Sequence, residues 1–112
     1  MTRTVLTLTT SPQRMQHLPL VLDALFNQLT SPDAVYLNLP ERYRNRDAYM
    51  IPDWLGDASQ VTLLRRSEDP GPVMKILPVL EVETDPDTLL VTADDDVRYP
   101  PDMISALQTL AL

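Results

Sequence analysis

Apolar and β-branched residues occur in short runs, separated by longer stretches where they recur at helical spacing. Residues 4–9 (TVLTLT) form such a run, closed by Ser11 and Pro12, and predict a buried strand. Leu18, Leu22, Leu25 and Leu29 then recur at spacings of 4, 3 and 4, one face of a helix over 15–29 with Pro19 in its first turn. Residues 34–39 (AVYLNL) predict a second strand stopped by Pro40, and residues 61–64 (VTLL) a third. The stretch 40–56 is polar and Arg-rich and predicts a long connection with a helical turn near Tyr49. A helix over 73–82 follows the punctuation at 69–72, with Pro78 expected to kink it. Residues 88–93 (TLLVTA) predict a fourth strand, and 101–110 a last helix with Met103, Leu107 and Leu110 on one face.

Strands thus alternate with helices or long crossovers, and each strand reads as buried on both faces. That pattern predicts an α/β fold with a mostly parallel sheet of about four strands and helices on both faces. The length of 112 residues fits a single domain. In such sheets the ligand crevice lies beyond the carboxyl ends of the strands. Three polar clusters fall there: Thr9, Thr10, Ser11 and Arg14 after the first strand; Arg65, Arg66 and Asp69 after the third; Asp94, Asp95 and Asp96 after the fourth.

Composition narrows the chemistry. Nine basic against sixteen acidic residues leave a net charge of −7, which disfavours nucleic acid or an anionic membrane as partner. The absence of cysteine excludes thiolate nucleophiles and Cys-ligated zinc. The sole histidine, His17, excludes a His-rich metal site, and two glycines, Gly56 and Gly71, cannot build a Walker A loop or a GxGxxG fingerprint. No apolar run reaches the ~18 residues of a membrane helix, and residues 1–10 lack a leader's apolar core. The expectation is a soluble cytoplasmic protein without a membrane span.

The aspartate triplet is the strongest chemical signal. In an extended segment Asp94 and Asp96 share one side and Asp95 faces the other. Adjacent carboxylates repel, and a hard divalent cation with a diphosphate relieves them. The competing reading is a solvated acidic turn. Residues 69–75 (DPGPVMK) place Lys75 in the first turn of a helix, where anions are favoured; an ordinary turn with Lys75 in solvent is the alternative. Arg42, Arg44 and Arg46 read as a solvated loop, and Tyr43 or Tyr49 as loop anchors that could cover a nucleotide.

Three segments resemble the nucleotide-binding half of GT-A-fold glycosyltransferases of the family-2 kind. These are residues 5–14 (VLTLTTSPQR) with the Leu-rich helix after them, residues 69–75, similar to a DxGPxxK segment, and residues 89–102 (LLVTADDDVRYPPD), which look like a DXD region. The resemblance implies a Rossmann-like nucleotide-binding half that binds a nucleoside-diphosphate sugar, a UDP- or GDP-sugar, with Mn²⁺ or Mg²⁺. Asp96, with Asp94, would contact the metal. Thr9, Thr10, Ser11, Arg14, Arg65, Asp69, Lys75, Asp94 and Asp95 would border the donor. The family's aspartate after the second strand is replaced here by the stretch from Asn38 to Glu41, and in the family the acceptor site and catalytic base follow the segment where this chain stops. No catalytic base is assigned. A transferase and a binding module that needs another chain both remain open. The apolar end at Leu107, Leu110 and Leu112 suggests self-association.

Overall fold

All five residues of β1 (Thr4–Leu8) are buried, and the other elements are arranged around them. In the computed structural model, which describes residues 3–56 and 60–111, β1 pairs with β2 (Ala34–Pro40) on one edge and β6 (Leu89–Thr92) on the other. The far edge of β2 carries β5 (Val61–Arg66). All three pairings are parallel, in the order β5-β2-β1-β6. This is the order of the first four strands in the doubly wound nucleotide-binding sheet, whose switch point lies between β1 and β6. The predicted α/β class and parallel sheet are therefore present.

The apolar face of the sheet holds the core. Leu6, Leu8, Val35, Leu37, Leu39 and Val91 pack with Leu18, Leu22 and Leu25 of α1 (Leu18–Phe26), Leu55 of α2 (Asp53–Gly56) and Ile104 of α4 (Met103–Ala111). The opposite face is more polar. Thr7 and Asn38 bond there to the Lys75 carbonyl, and α3 (Leu77–Val82) covers Tyr36 through Glu83. Full burial of every strand, expected from the sequence, holds for β1 but not at the edges: only Val61 is buried in β5 and only Val91 in β6.

Several element boundaries differ from expectation for local reasons. The first helix ends at Phe26, where the Asn27 amide donates to the Asp23 carbonyl and closes the turn. Leu29 therefore leaves the helical face and is exposed. The connection after Pro40 is a small hairpin, β3 (Arg42–Tyr43) against β4 (Asp47–Ala48), and its helical turn is α2 rather than a turn at Tyr49. Arg44 and Asn45 take φ of 54° and 60°, the signs a type I′ turn requires. Pro78 does not kink a long helix. Residues Pro72–Lys75 form a 3₁₀ turn, and Pro78 sits in the first turn of a separate α3, where no N–H is needed. In α4 the buried residue is Ile104, while Leu107 is partly and Leu110 largely exposed; Leu112 lies outside the described residues. Among the described residues, no helix is long and apolar enough to cross a membrane.

Arg3 closes the amino-terminal side of the sheet. Its Nε and Nη2 donate to the two Glu83 oxygens at 2.8 and 2.9 Å, and the Tyr36 hydroxyl donates to the same carboxylate at 2.6 Å. These bonds lower the Glu83 carboxyl from its ordinary 4.5 to about 2. A depressed folded-state value contributes stability above the unfolded value, lost as pH falls towards the folded one. Stability should therefore fall between pH 4.5 and about 2, and Glu83→Gln should flatten that acid limb in urea titrations at stepped pH.

Candidate functional site

Parallel pairing brings the carboxyl ends of β1 and β6 side by side, with Thr7 opposite Thr92 and the Ala93 N–H donating to the Thr7 carbonyl at 2.9 Å. The first loop and the aspartate loop thus leave the sheet next to one another. Asp95 is turned inward and only 8% exposed. Its Oδ2 accepts the Thr10 hydroxyl at 2.6 Å and its Oδ1 accepts Arg14 Nη1 at 3.0 Å. A buried carboxylate requires such partners, since an unpaired one is strongly disfavoured. The Asp95 hydrogen bond and charge hold the Arg14 guanidinium above its ordinary value. Ser11 sets the loop that carries Arg14: its carbonyl and its hydroxyl both accept the Arg14 N–H.

The neighbouring aspartates remain on the surface. Asp94 Oδ1 accepts Lys75 Nζ at 3.2 Å, and the Asp94 N–H donates to the Tyr99 hydroxyl at 2.7 Å. Asp96 is 60% exposed at its side chain and lies 4.0 Å from Arg14 Nη1. The expected inside-outside split of the triplet is present. It does not come from an extended strand, however, because the chain leaves β6 at Thr92 and turns at Asp95 and Asp96.

Beside this cluster, Thr9 donates its hydroxyl to the Asn38 carbonyl at 2.6 Å. The fully buried Asn38 amide donates to Thr7 Oγ1 and to the Leu8 and Lys75 carbonyls. It thereby ties β1 to the turn that carries Lys75. Its Oδ1 has no hydrogen-bond partner among the described residues.

A separate cavity of about 210 Å³ lies between the β3–β4 hairpin and the 69–72 turn, lined by Thr9, Tyr43, Arg44, Tyr49, Asp69 and Met74 among others. Asp69 builds its wall. One carboxylate oxygen accepts the Arg44 N–H at 2.6 Å and the other the Gly71 N–H at 2.8 Å. Gly71 has φ of 89°, the left-handed region that favours glycine. The Arg44 guanidinium lies 5.2 Å above the Tyr43 ring. The Tyr49 hydroxyl donates to the Thr10 carbonyl at 2.6 Å; burial and then the Asp69 charge push this phenol up, so it stays a neutral donor.

The structure therefore gathers Thr10, Ser11, Arg14, Lys75, Asp94, Asp95 and Asp96 at the β1/β6 edge, and places Thr9 and Asp69 at the cavity. Arg65 joins neither group: it sits in β5 opposite Leu39 and donates to the Pro40 carbonyl at 3.1 Å. Sequence reasoning missed Asn38 and Tyr99. The single polar residue within the apolar run of β2 was the available signal for Asn38; Tyr99 carried none. No known protein-family model matches the chain, and no curated protein does.

Thr10 is 3% exposed and its hydroxyl serves a buried charge. Thr10→Val should cost about 1–3 kcal/mol, the penalty for leaving a buried acceptor short of a donor. Arg14→Lys should retain more stability than Arg14→Ala. Urea unfolding of the three variants measures both differences.

Proposed function

We propose that this chain binds a nucleoside-diphosphate sugar at the carboxyl edge of its sheet, as the donor-binding half of a GT-A-like glycosyltransferase. The observation that carries the reading is the contact across the switch point. Thr10 and Arg14 of the first loop hold Asp95 inward, leaving Asp94 and Asp96 exposed beside them. Ligands of open α/β sheets bind at this crevice. The cavity walled by Tyr43, Tyr49 and Met74 adjoins it through Thr9 and suits a flat nucleobase. Lys75 and Arg14 supply positive charge for a diphosphate.

The residues at this edge fit a divalent cation of the Mn²⁺ or Mg²⁺ kind. Among the described residues, no three acidic or histidine side chains form a complete metal cage. Mg²⁺ at nucleotide sites typically takes one or two carboxylates and completes its shell with phosphate and water, and Asp96 with Asp94 would supply those carboxylates. When bound, such a cation neutralises charge on the departing diphosphate as a Lewis acid.

Transfer breaks the bond between the anomeric carbon and the β-phosphate oxygen and forms one to an acceptor oxygen, releasing the nucleoside diphosphate and the acceptor's proton. Asp95 is engaged by Arg14, Asp94 by Lys75 and Asp69 by two backbone N–H groups, and no residue is assigned as the base that takes that proton.

Calorimetric titration with UDP and GDP should show binding that Mn²⁺ strengthens, and Asp96→Ala should remove the Mn²⁺-dependent part. A folded Asp96→Ala chain that binds as tightly as the parent would refute the assignment. Ligands that bind only the native state raise its stability by mass action. Mn²⁺ and nucleotide together should therefore raise the melting temperature by more than the sum of their separate effects, as differential scanning fluorimetry would show.

A further inference from the structure

A second cavity, of about 550 Å³, lies on the other side of the first loop, between that loop and the segment joining β4 to α2. Its apolar walls include Met50, 89% exposed, and the indole of Trp54, 40% exposed. Gln13 and Gln16 also line it, and neither side-chain amide has a hydrogen-bond partner among the described residues. No charged side chain is among the described lining residues, although 22% of the chain is charged and the neighbouring site is built from ions.

We infer that this cavity binds a neutral saccharide, which would be the acceptor in the donor-binding reading on which that role rests. An aromatic side chain beside a few polar groups is the usual make-up of a small-molecule site, and the volume lies within the usual range. One face of a pyranose ring is a patch of C–H groups, which packs on an indole. Its hydroxyls both donate and accept, and each glutamine amide offers two N–H donors and a carbonyl acceptor. An ionic ligand would be desolvated here without a countercharge. The turn from Pro12 to Arg14 joins the two sites: Pro12 and Gln13 line this cavity, while Arg14 holds Asp95.

Trp54 is the sole tryptophan of the chain, so emission excited selectively at the indole, and not at the four tyrosines, reports on this cavity. The chain is titrated with methyl glucoside, methyl galactoside, methyl mannoside and cellobiose, with glucuronate as the charged control. At least one neutral saccharide should give a saturable change in emission, and glucuronate should bind more weakly than its neutral counterpart. Gln13→Ala and Gln16→Ala should each weaken binding about fivefold, the effect of one hydrogen bond. Both side chains are exposed and unpaired, and circular dichroism verifies that the variants fold. Asp96→Ala should lose Mn²⁺-dependent UDP binding in calorimetry and keep the saccharide response. Saccharide binding without any nucleotide binding supports the site and defeats only the donor reading. The inference is overturned by the absence of a saturable response to all four saccharides, or by full affinity in both glutamine variants.

Discussion

β1 is hydrogen-bonded along both edges and buried on both faces, so it has no freedom to shift. A slip of one residue would turn Leu6 and Leu8 out of the core and drive Thr7 into it. The registers with β2 and β6 follow from that constraint, and with them the point at which each loop leaves the sheet. The first loop and the aspartate loop are adjacent because their strands are paired residue by residue beneath them. The two faces divide the labour. The apolar face supplies cohesion through α1, α2 and α4. The polar face uses Asn38 and Thr7 to fasten the turn bearing Lys75 against the sheet.

Asp95 is the hinge between scaffold and chemistry. A carboxylate that is almost wholly buried is disfavoured unless it is paired and hydrogen-bonded. Thr10 and Arg14 supply both, and they come from a loop more than eighty residues earlier in the chain. The pairing orients the whole acidic turn. With the middle aspartate drawn inward, its two neighbours face outward, one beside Lys75 and one near Arg14. Like charges that would repel in a free peptide are thereby interleaved with cations.

Much of this was legible in the residues. Apolar runs of four to six residues mark all four sheet strands, and Pro40 marks the end of β2. The clusters at 9–14 and 94–96 were legible as neighbours because parallel strands put their carboxyl ends together. Three things were not legible. The hairpin at 42–48 is too short to show alternation, and its turn uses Arg44 with Asn45, not a glycine pair. The early end of α1 depends on the Asn27 side chain, which overrides the helical spacing of Leu29. The role of Asp69 could not be read either, since its partners Arg44 and Asn45 are about twenty-five residues away and meet it only through the fold.

That last contact has a consequence for motion. Asp69 uses both carboxylate oxygens, its N–H and its carbonyl to join the hairpin tip to its own turn. Few buried apolar groups reinforce this joint, in contrast to the packed face of α1. Segments held in this way open as small cooperative units below the free energy of global unfolding. The hairpin tip and the 69–72 turn would therefore open together, uncovering the cavity between them before the paired strands and the Asp95 cluster do. Amide protons on this flank would form one fast-exchanging set, and those of β1 the slowest.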